Sequence, residues 1–545
     1  MGRIIRRYAA HRNDPMTIDD RPSIAPLRSV PSALAWALVP LFGLISLWHG
    51  RDTGWDFRNY HWYNPYALLT GRLDFDVAVA HHATYYNPLP DVPVFVAAQH
   101  LPPWFVGFAV GCVHGLNLVL LFRIARVAIG ARTSRDQWLS LALAVVGTSG
   151  GMALILIGNS SNDMTMTLFV LAALLLVVRA DGATVEMWRF GAAGFACGMA
   201  VGLKLTMAPF AVGLAVGVFA LTAPLQVRWR RVALLGLGGI AGAALFGGAW
   251  AHTLWQQTGN PFFPYFNDII GSPLILDASY RDQRFVPRSL FEALVYPFVF
   301  SYDGMRVNDV PFRDVKIAIA YAVVPLSVGW ALVKRRGLTQ PMRLLFATAL
   351  VSYVVWVSVF GVYRYVVTLE MLAPLLVALG LGLVLGTRGR DAALVALGCV
   401  ALLGVGWRWI PIGGVGWSGG YVDASLPPIA EPDRTLVVLA GLEPMGYLVP
   451  AFPPQIPFLR IDGWLDAPSS HSAFGDRMRA RIDAHDGPIF GMFIEHERDR
   501  AVAAFGADGL VLAGAECATI RSNIGEPLRW CALERNASPH KASSE

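Results

Sequence analysis

Long apolar runs separated by short polar turns dominate the chain. Eleven of them approach or exceed the roughly 20 residues a helix needs to cross a bilayer: 31–49, 104–129, 137–157, 161–179, 189–205, 207–223, 232–254, 315–333, 343–360, 365–387 and 391–409. None shows the strict alternation of a barrel strand. The pattern predicts an α-helical polytopic membrane protein with about 11 transmembrane helices. Only Lys204 to Pro209 parts the fifth run from the sixth, a turn that a re-entrant pair also fits. After residue 410 the pattern changes. Short apolar runs at 435–440, 457–461, 488–494 and 509–513 alternate with polar helical stretches at 472–485 and 495–505. That alternation predicts a small C-terminal α/β domain over 411–535, followed by a frayed tail at 536–545.

Charge gives the spans a direction. Arg123, Arg126, Arg132 and Arg135 follow the second run, and Arg179 and Arg189 lie between the fourth and fifth. Arg228, Arg230 and Arg231 follow the sixth, Lys334, Arg335, Arg336 and Arg343 the eighth, and Arg388 and Arg390 the tenth. All these turns share one side with the Arg-rich tail 1–30. The positive-inside rule makes that side cytoplasmic. The domain over 31–410 then exposes the loops 50–103 and 255–314 on the opposite side, and the C-terminal domain is extracytoplasmic. No small-residue cleavage site follows the first run, which therefore reads as an uncleaved anchor.

Composition agrees. The chain is 55% hydrophobic and 15% charged, against about 25% charged in soluble domains. The net charge of +6 is what cytoplasmic loops collect and does not argue for nucleic acid. Cys112, Cys197 and Cys399 lie in apolar runs; Cys517 and Cys531 form an even pair that an oxidising compartment would allow to bond. Glycines 191, 194, 198 and 202 make a stripe for close helix packing. Gly236 to Ala241 resembles a dinucleotide fingerprint, but no strand precedes it, so packing is the better reading.

Candidate chemistry gathers on the side opposite the arginine-rich turns. Asp56 follows the first span directly, in a stretch (54–71) that reads as an amphipathic helix along the membrane surface. An interfacial aromatic belt accounts for many tyrosines nearby, but not for a carboxylate there. Lys204 and Arg364 are lone cations at span ends on the same side. A charge within a span is costly; snorkelling is the plain account of each alone, less so of the two together. Other plain readings compete. Arg58 is placed to hold Asp56 as an ion pair, and Asp163 to cap the fourth span. Asp74 and Asp76, with His81 and His82, offer a divalent-metal alternative that chance spacing makes the less favoured one.

These residues resemble the GT-C superfamily of membrane glycosyltransferases. Trp55-Asp56, Tyr63 and Ala67-Leu-Leu-Thr-Gly71 are similar to the acid-led helix of its first outer loop. Tyr85-Tyr86-Asn87-Pro88-Leu89 resembles the aromatic segment that follows. Asn162-Asp163, the Gly-rich span ending in Lys204, Thr258-Gly-Asn-Pro261-Phe-Phe-Pro264 and Tyr363-Arg364-Tyr365 resemble further family motifs in family order. A second acid often found beside the first is missing here, where Phe57 and Arg58 follow. The resemblance implies transfer of a sugar from a polyprenyl-phosphate donor in the bilayer to an acceptor hydroxyl on a glycan, lipid or protein. It implies Asp56 as general base and Lys204 and Arg364 as donor-phosphate contacts. Tyr63, Tyr85, Asn87, Asn162, Asp163 and Tyr363 become substrate-binding candidates. No cofactor is called for. The expected setting is a bacterial inner membrane. A transporter or lipid flippase would need ionisable groups within the spans, which read as almost free of them. A non-catalytic part of an envelope-polysaccharide machinery is the third reading.

Overall fold

The computed structural model describes residues 29–179, 186–275, 280, 282–404, 414–465, 472–514 and 516–536. The expected N-terminal tail to residue 28, the close of the eleventh run and the tail after 536 lie outside the described residues.

The molecule is a helical membrane domain carrying a sheet domain at one end. Among the described residues, six helices are long and apolar enough to cross a bilayer: Val30–His49, Pro103–Ile129, Leu225–Thr258, Lys316–Val333, Gln340–Val359 and Tyr363–Asp391. Asp163–Val178, Trp188–Leu203 and Leu205–Phe219 are shorter. The third run is split into Ser134–Thr148 and Gly151–Ile155. The last helix kinks at Gly386 and is described as far as Gly404. The total of eleven crossings therefore stays an expectation.

The break in the third run has a visible cause. Asp314 Oδ2 accepts from the Gly151 N–H at 2.9 Å, and Glu370 Oε1 accepts from the Ala153 N–H at 3.0 Å. Two carboxylates thus satisfy the free N–H groups of a fresh helix start. Lys316 Nζ lies 3.0 Å from Asp314 and 3.8 Å from Glu370. The expectation of almost charge-free spans is corrected here: Asp314, Lys316 and Glu370 are all buried.

The glycine stripe does what its spacing predicts. Gly194, Gly198 and Gly202 face Leu235, Gly239 and Ala243 of Leu225–Thr258, where an added Cβ would strike backbone. Gly238 and Gly242 meet Gly191 and Phe195 in return. The dinucleotide-like run is a helix-packing surface.

Among the described residues the C-terminal domain holds seven strands: β1 (Ala424–Ser425), β2 (Leu436–Leu439), β3 (Phe458–Arg460), β4 (Ile489–Ile494), β5 (Leu510–Leu512), β6 (Ala518–Ser522) and β7 (Leu528–Arg535). Their order is β1-β6-β7-β4-β2-β3, with β5 also on β7. β2 runs parallel to β3 and β4; the β7 pairings are antiparallel. β2 is buried along its whole length, as a parallel strand covered on both faces must be. Helices Ala473–Asp483 and Arg498–Ala507 complete the domain. Cys517 and Cys531 are disulfide-bonded.

This domain sits on the loop that follows the first span. Arg51 pairs with Val415 and Val77 with Leu459. Arg72 donates to the carbonyls of Pro454 and Ile456, both at 2.6 Å. Arg460 Nε donates to Val79 O at 2.8 Å. The stretch after Asp56 is thus no surface helix. It forms a π turn, Phe57–His61, and a helix, Tyr63–Leu69. Phe57, Tyr60, Tyr63 and Ala67 are buried and share a core with Met445, Tyr447, Leu448 and Phe452. Aromatics around the whole circumference find protein on one side where a surface helix would leave water.

Candidate active site

Four charged side chains from four distant segments meet at the junction of the two layers. Arg364 Nη1 donates to Asp56 Oδ2. Arg364 Nε lies 3.9 Å from Asp163 Oδ2. Lys204 Nζ donates to Asp163 Oδ1 at 2.6 Å and to Ser161 O at 2.5 Å. The side chains of Asp56 and Arg364 are 24% and 25% exposed, whereas that of Asp163 is fully buried. The cluster is open at Asp56 and closed at Asp163.

Local structure explains each position. Asp56 precedes the π turn. Arg364 lies on a single 3-10 turn, Tyr363–Val366, ahead of the last long helix. Lys204 is the extended residue that ends Trp188–Leu203. Asn87 pins that end, for its Nδ2 donates to Gly202 O and Phe246 O, each at 2.9 Å. Asn162 adopts the left-handed conformation, φ 64°, which Asn tolerates better than most residues.

The electrostatics favour an ionised Asp56. Burial pushes its carboxyl up, but Arg364, His61 and Lys204 outweigh burial and hold it below the usual carboxylate range. Burial drives the Tyr60 phenol well above its ordinary value and pulls the His82 imidazole down to about 4. Both are neutral near pH 7. An aromatic wall lines the cluster. Lys204 Nζ and the Arg364 guanidinium each lie 5.4 Å from the centre of the Tyr365 ring. Tyr86 stacks on Tyr265 at 5.7 Å, with their hydroxyls hydrogen-bonded. The Thr258–Pro264 motif seats Tyr265: Asn260 Nδ2 donates to its carbonyl at 2.9 Å.

The expected residues divide. Asp56, Lys204, Arg364 and Asp163 come together, and Asn162 adjoins them through Asp91, to which its Nδ2 donates at 2.6 Å. The Asp163 carboxylate is occupied by Lys204. The Tyr63 hydroxyl is instead bonded to Asp76 at 3.0 Å. Tyr85 packs edge-on against Phe263 and Phe474. Tyr363 is fully buried against Phe300 and Phe312; Tyr365 is the neighbour that faces the cations. Arg58 does not hold Asp56, since its Nε donates to Thr53 O at 3.0 Å. Asp76 is taken up by Arg72, Tyr63 and the Phe458 N–H, and His81 Nδ1 by the Trp464 N–H. Among the described residues no group of three or more His, Cys, Asp or Glu is placed to hold a metal ion.

Sequence reasoning missed Asp52, His61 and Asp91. Asp52 Oδ2 accepts from the Ser160 N–H at 2.9 Å and its hydroxyl at 2.6 Å, tying the Asp56 loop to the turn before Asp163. Each is a polar residue in an aromatic loop, and nothing in its spacing marks it out.

No known protein family matches the chain by sequence, and no curated protein does. Solved structures match in shape. ArnT from Cupriavidus metallidurans bound to undecaprenyl phosphate aligns over 91% of this chain and 97% of that one, at a TM-score of 0.52 and 14% identity. The apo state of that protein aligns at a TM-score of 0.45 with 12% identity. At this identity the likeness is one of fold alone: over nine tenths of its length this chain follows the fold of the lipid-bound structure.

Proposed function

We propose that the chain is a membrane glycosyltransferase that moves a hexosyl or pentosyl group from a polyprenyl-phosphate donor to an acceptor hydroxyl. The observation that carries the proposal is the convergence of Asp56, Arg364, Lys204 and Asp163 from segments up to 308 residues apart. Such charges cost too much in a membrane protein to be gathered without a partner for them. The shared fold with a protein solved with undecaprenyl phosphate supports a lipid-phosphate ligand here.

The chemistry follows from the geometry. The attacking hydroxyl loses a proton as the new glycosidic bond forms, and Asp56, ionised and partly exposed, accepts it; such a base contributes about 10²–10⁴-fold. The bond from the anomeric carbon to phosphate breaks, and the phosphate leaves with the electron pair. Arg364 and Lys204 compensate that charge. Donor phosphate and Asp56 compete for Arg364, so binding loosens the pair that holds the base low. Asn162, Asp163 and the tyrosine wall shape the sugar's place, while Tyr63, Tyr85, Asn87 and Tyr363 hold the frame around it. The positive-inside rule sets the reaction on the extracytoplasmic face of a bacterial inner membrane, with the N-terminus inside. The Cys517–Cys531 bond suits that compartment.

The test uses the purified full chain in lipid nanodiscs with polyprenyl-phosphate sugars. Wild type is expected to release polyprenyl phosphate and label an acceptor. Asp56→Asn is expected to stop both while melting within about 3 °C of wild type. Undiminished transfer by Asp56→Asn would reject the assignment.

A further inference from the structure

The helix Leu290–Tyr302 lies in the loop 255–314 and takes no part in the proposed reaction. Glu292 is the one charged residue among its 13. A helix so apolar is buried, in protein or in lipid. Here protein covers one side only. Tyr296 and Phe300 are fully buried, whereas Leu290, Phe291, Leu294, Phe298 and Tyr302 are 49% to 83% exposed. At about 100° per residue these five fall within about 120° of arc and make a single face. The helix is about 20 Å long, too short for a hydrocarbon core of about 30 Å, so it does not cross.

Its neighbours set its depth. Tyr321 Oη donates to the Leu294 carbonyl at 2.9 Å, and Phe298 packs edge-on against the Tyr321 ring at 6.0 Å. Tyr321 is the sixth residue of the span Lys316–Val333, about 7 Å in from its start. That start already lies beside Glu370, six residues past Arg364. The middle of the helix is therefore level with the spans. Leu332, three turns further along the same side of Lys316–Val333, is exposed as well. Polar groups gather at the helix ends. Ser289 Oγ accepts from the Glu292 N–H at 3.1 Å, Glu292 Oε1 from Arg306 Nε at 2.9 Å, and Asp303 Oδ1 from the Met305 N–H at 3.0 Å. Backbone groups freed at a helix end in or near lipid need such partners.

The inner face bears on the turn that carries Arg364. Phe300 packs edge-on against Tyr363 at 5.3 Å and against Trp356 at 6.2 Å. Just past the helix, Val307 O accepts from the Tyr363 N–H at 2.8 Å. Just before it, Phe285 O stands 2.2 Å from where a Cβ on Gly361 would be. One segment thus holds the turn Tyr363–Val366 and its approach at three points.

We propose that Leu290–Tyr302 lies in the leaflet nearest the sheet domain, with its exposed row against the acyl chains, and that its inner face positions Arg364 at that depth. The partner is the lipid surface. The seat in the leaflet stands apart from the glycosyltransferase reading; the positioning of Arg364 rests on it.

The experiment is photo-crosslinking of the purified full chain in palmitoyl-oleoyl phosphatidylglycerol liposomes, with p-benzoylphenylalanine in place of Phe291, Leu294 or Phe298. Mass spectrometry is expected to find a phospholipid adduct at each, as at Leu350 on the span Gln340–Val359, and none at Val511 on the sheet domain. Lipid adducts at Leu350 with none on the helix overturn the seat in the leaflet, and so do adducts with a second copy of the chain. Sugar transfer in the same liposomes tests the positioning. Leu294→Glu is expected to raise the donor KM about tenfold and keep kcat within about twofold, because a charge there is costly in lipid. Leu294→Met is expected to match wild type. In water Leu294→Glu is an ordinary surface change, so an unchanged KM overturns the positioning, as does a loss confined to kcat. Leu294→Gln serves if the charged variant does not fold, with a smaller rise in KM expected. A wild type that transfers no sugar overturns the glycosyltransferase reading and the positioning with it, while the adducts still decide the seat in the leaflet.

Discussion

Two buried groups of ions lie within six residues of each other along the last long helix, at Arg364 and at Glu370. The first joins Asp56, Arg364, Asp163 and Lys204; the second joins Asp314, Lys316 and Glu370. They use the same residue types and differ in closure. In the second group no side chain is more than 4% exposed, and both carboxylates accept backbone N–H groups. It is spent on ending one helix and starting another. In the first group Asp56 and Arg364 stay about a quarter exposed, and Asp163 Oδ2 has no hydrogen bond. That group has capacity left for a ligand. Burial of charge thus does not mark a site, and neither does one unbonded buried atom, since Lys316 Nζ makes no hydrogen bond either; buried charge that stays partly open does. The closed group also answers the transporter reading. It supplies ionisable groups inside the spans, but they are sealed from the surface and paired with one another.

The contrast breaks most sharply under substitution. Asp56→Asn should cost activity about 10²–10⁴-fold and lower melting by only about 3 °C, the loss of one partly exposed ion pair, read by transfer and by thermal unfolding. Lys316→Met should do the reverse. It leaves two buried carboxylates without their cation, which costs about 3–5 kcal/mol. The readout is yield and melting temperature, with the folded fraction still active per molecule. A Lys316→Met protein that melts as wild type does but transfers no sugar would erase the distinction. Arg364→Lys keeps the charge and loses the planar fork. Donor KM should rise about tenfold, with little change in melting; an unchanged KM would remove Arg364 from the phosphate site.

The smallest effect is a pH dependence. Asp56 is held below its ordinary value of 3.8. Its ion pair therefore stabilises the fold at every pH above that value, and the stabilisation is lost as pH falls through the lower folded-state value. The melting difference between wild type and Asp56→Asn should stay level from pH 7 to pH 5 and shrink only below about 4. A difference that faded near pH 6 would mean that another group titrates there.

Legibility differed between the two groups for a physical reason. Lys204 and Arg364 stood out because each is a lone cation at the end of an apolar run, where the hydropathy contrast is greatest, and Asp56 because it is a carboxylate among aromatics just past the first span. Glu370 lies one turn further in, a single acid in an apolar helix, and its partners come from another helix start. His61 and Asp91 lay among aromatics that an interfacial belt explains equally well. The middle of the C-terminal sheet shows the same limit. β2 to β5 were readable as apolar runs. β7, whose burial is patchy along Leu528–Arg535, was not, although it is the strand to which β4, β5 and β6 all bond.

By itself the amino-acid order determined the membrane class, the glycine packing face, the change to an α/β domain and which charged residues flank the apolar runs. These depend on hydropathy and spacing, which are local. The tertiary structure decided which cation holds Asp56, that Tyr365 and not Tyr363 faces the site, that the sheet domain buries the loop expected on the surface, and that His61 meets Asp91. Those are pairings across tens to hundreds of residues, and only the packed chain selects among them.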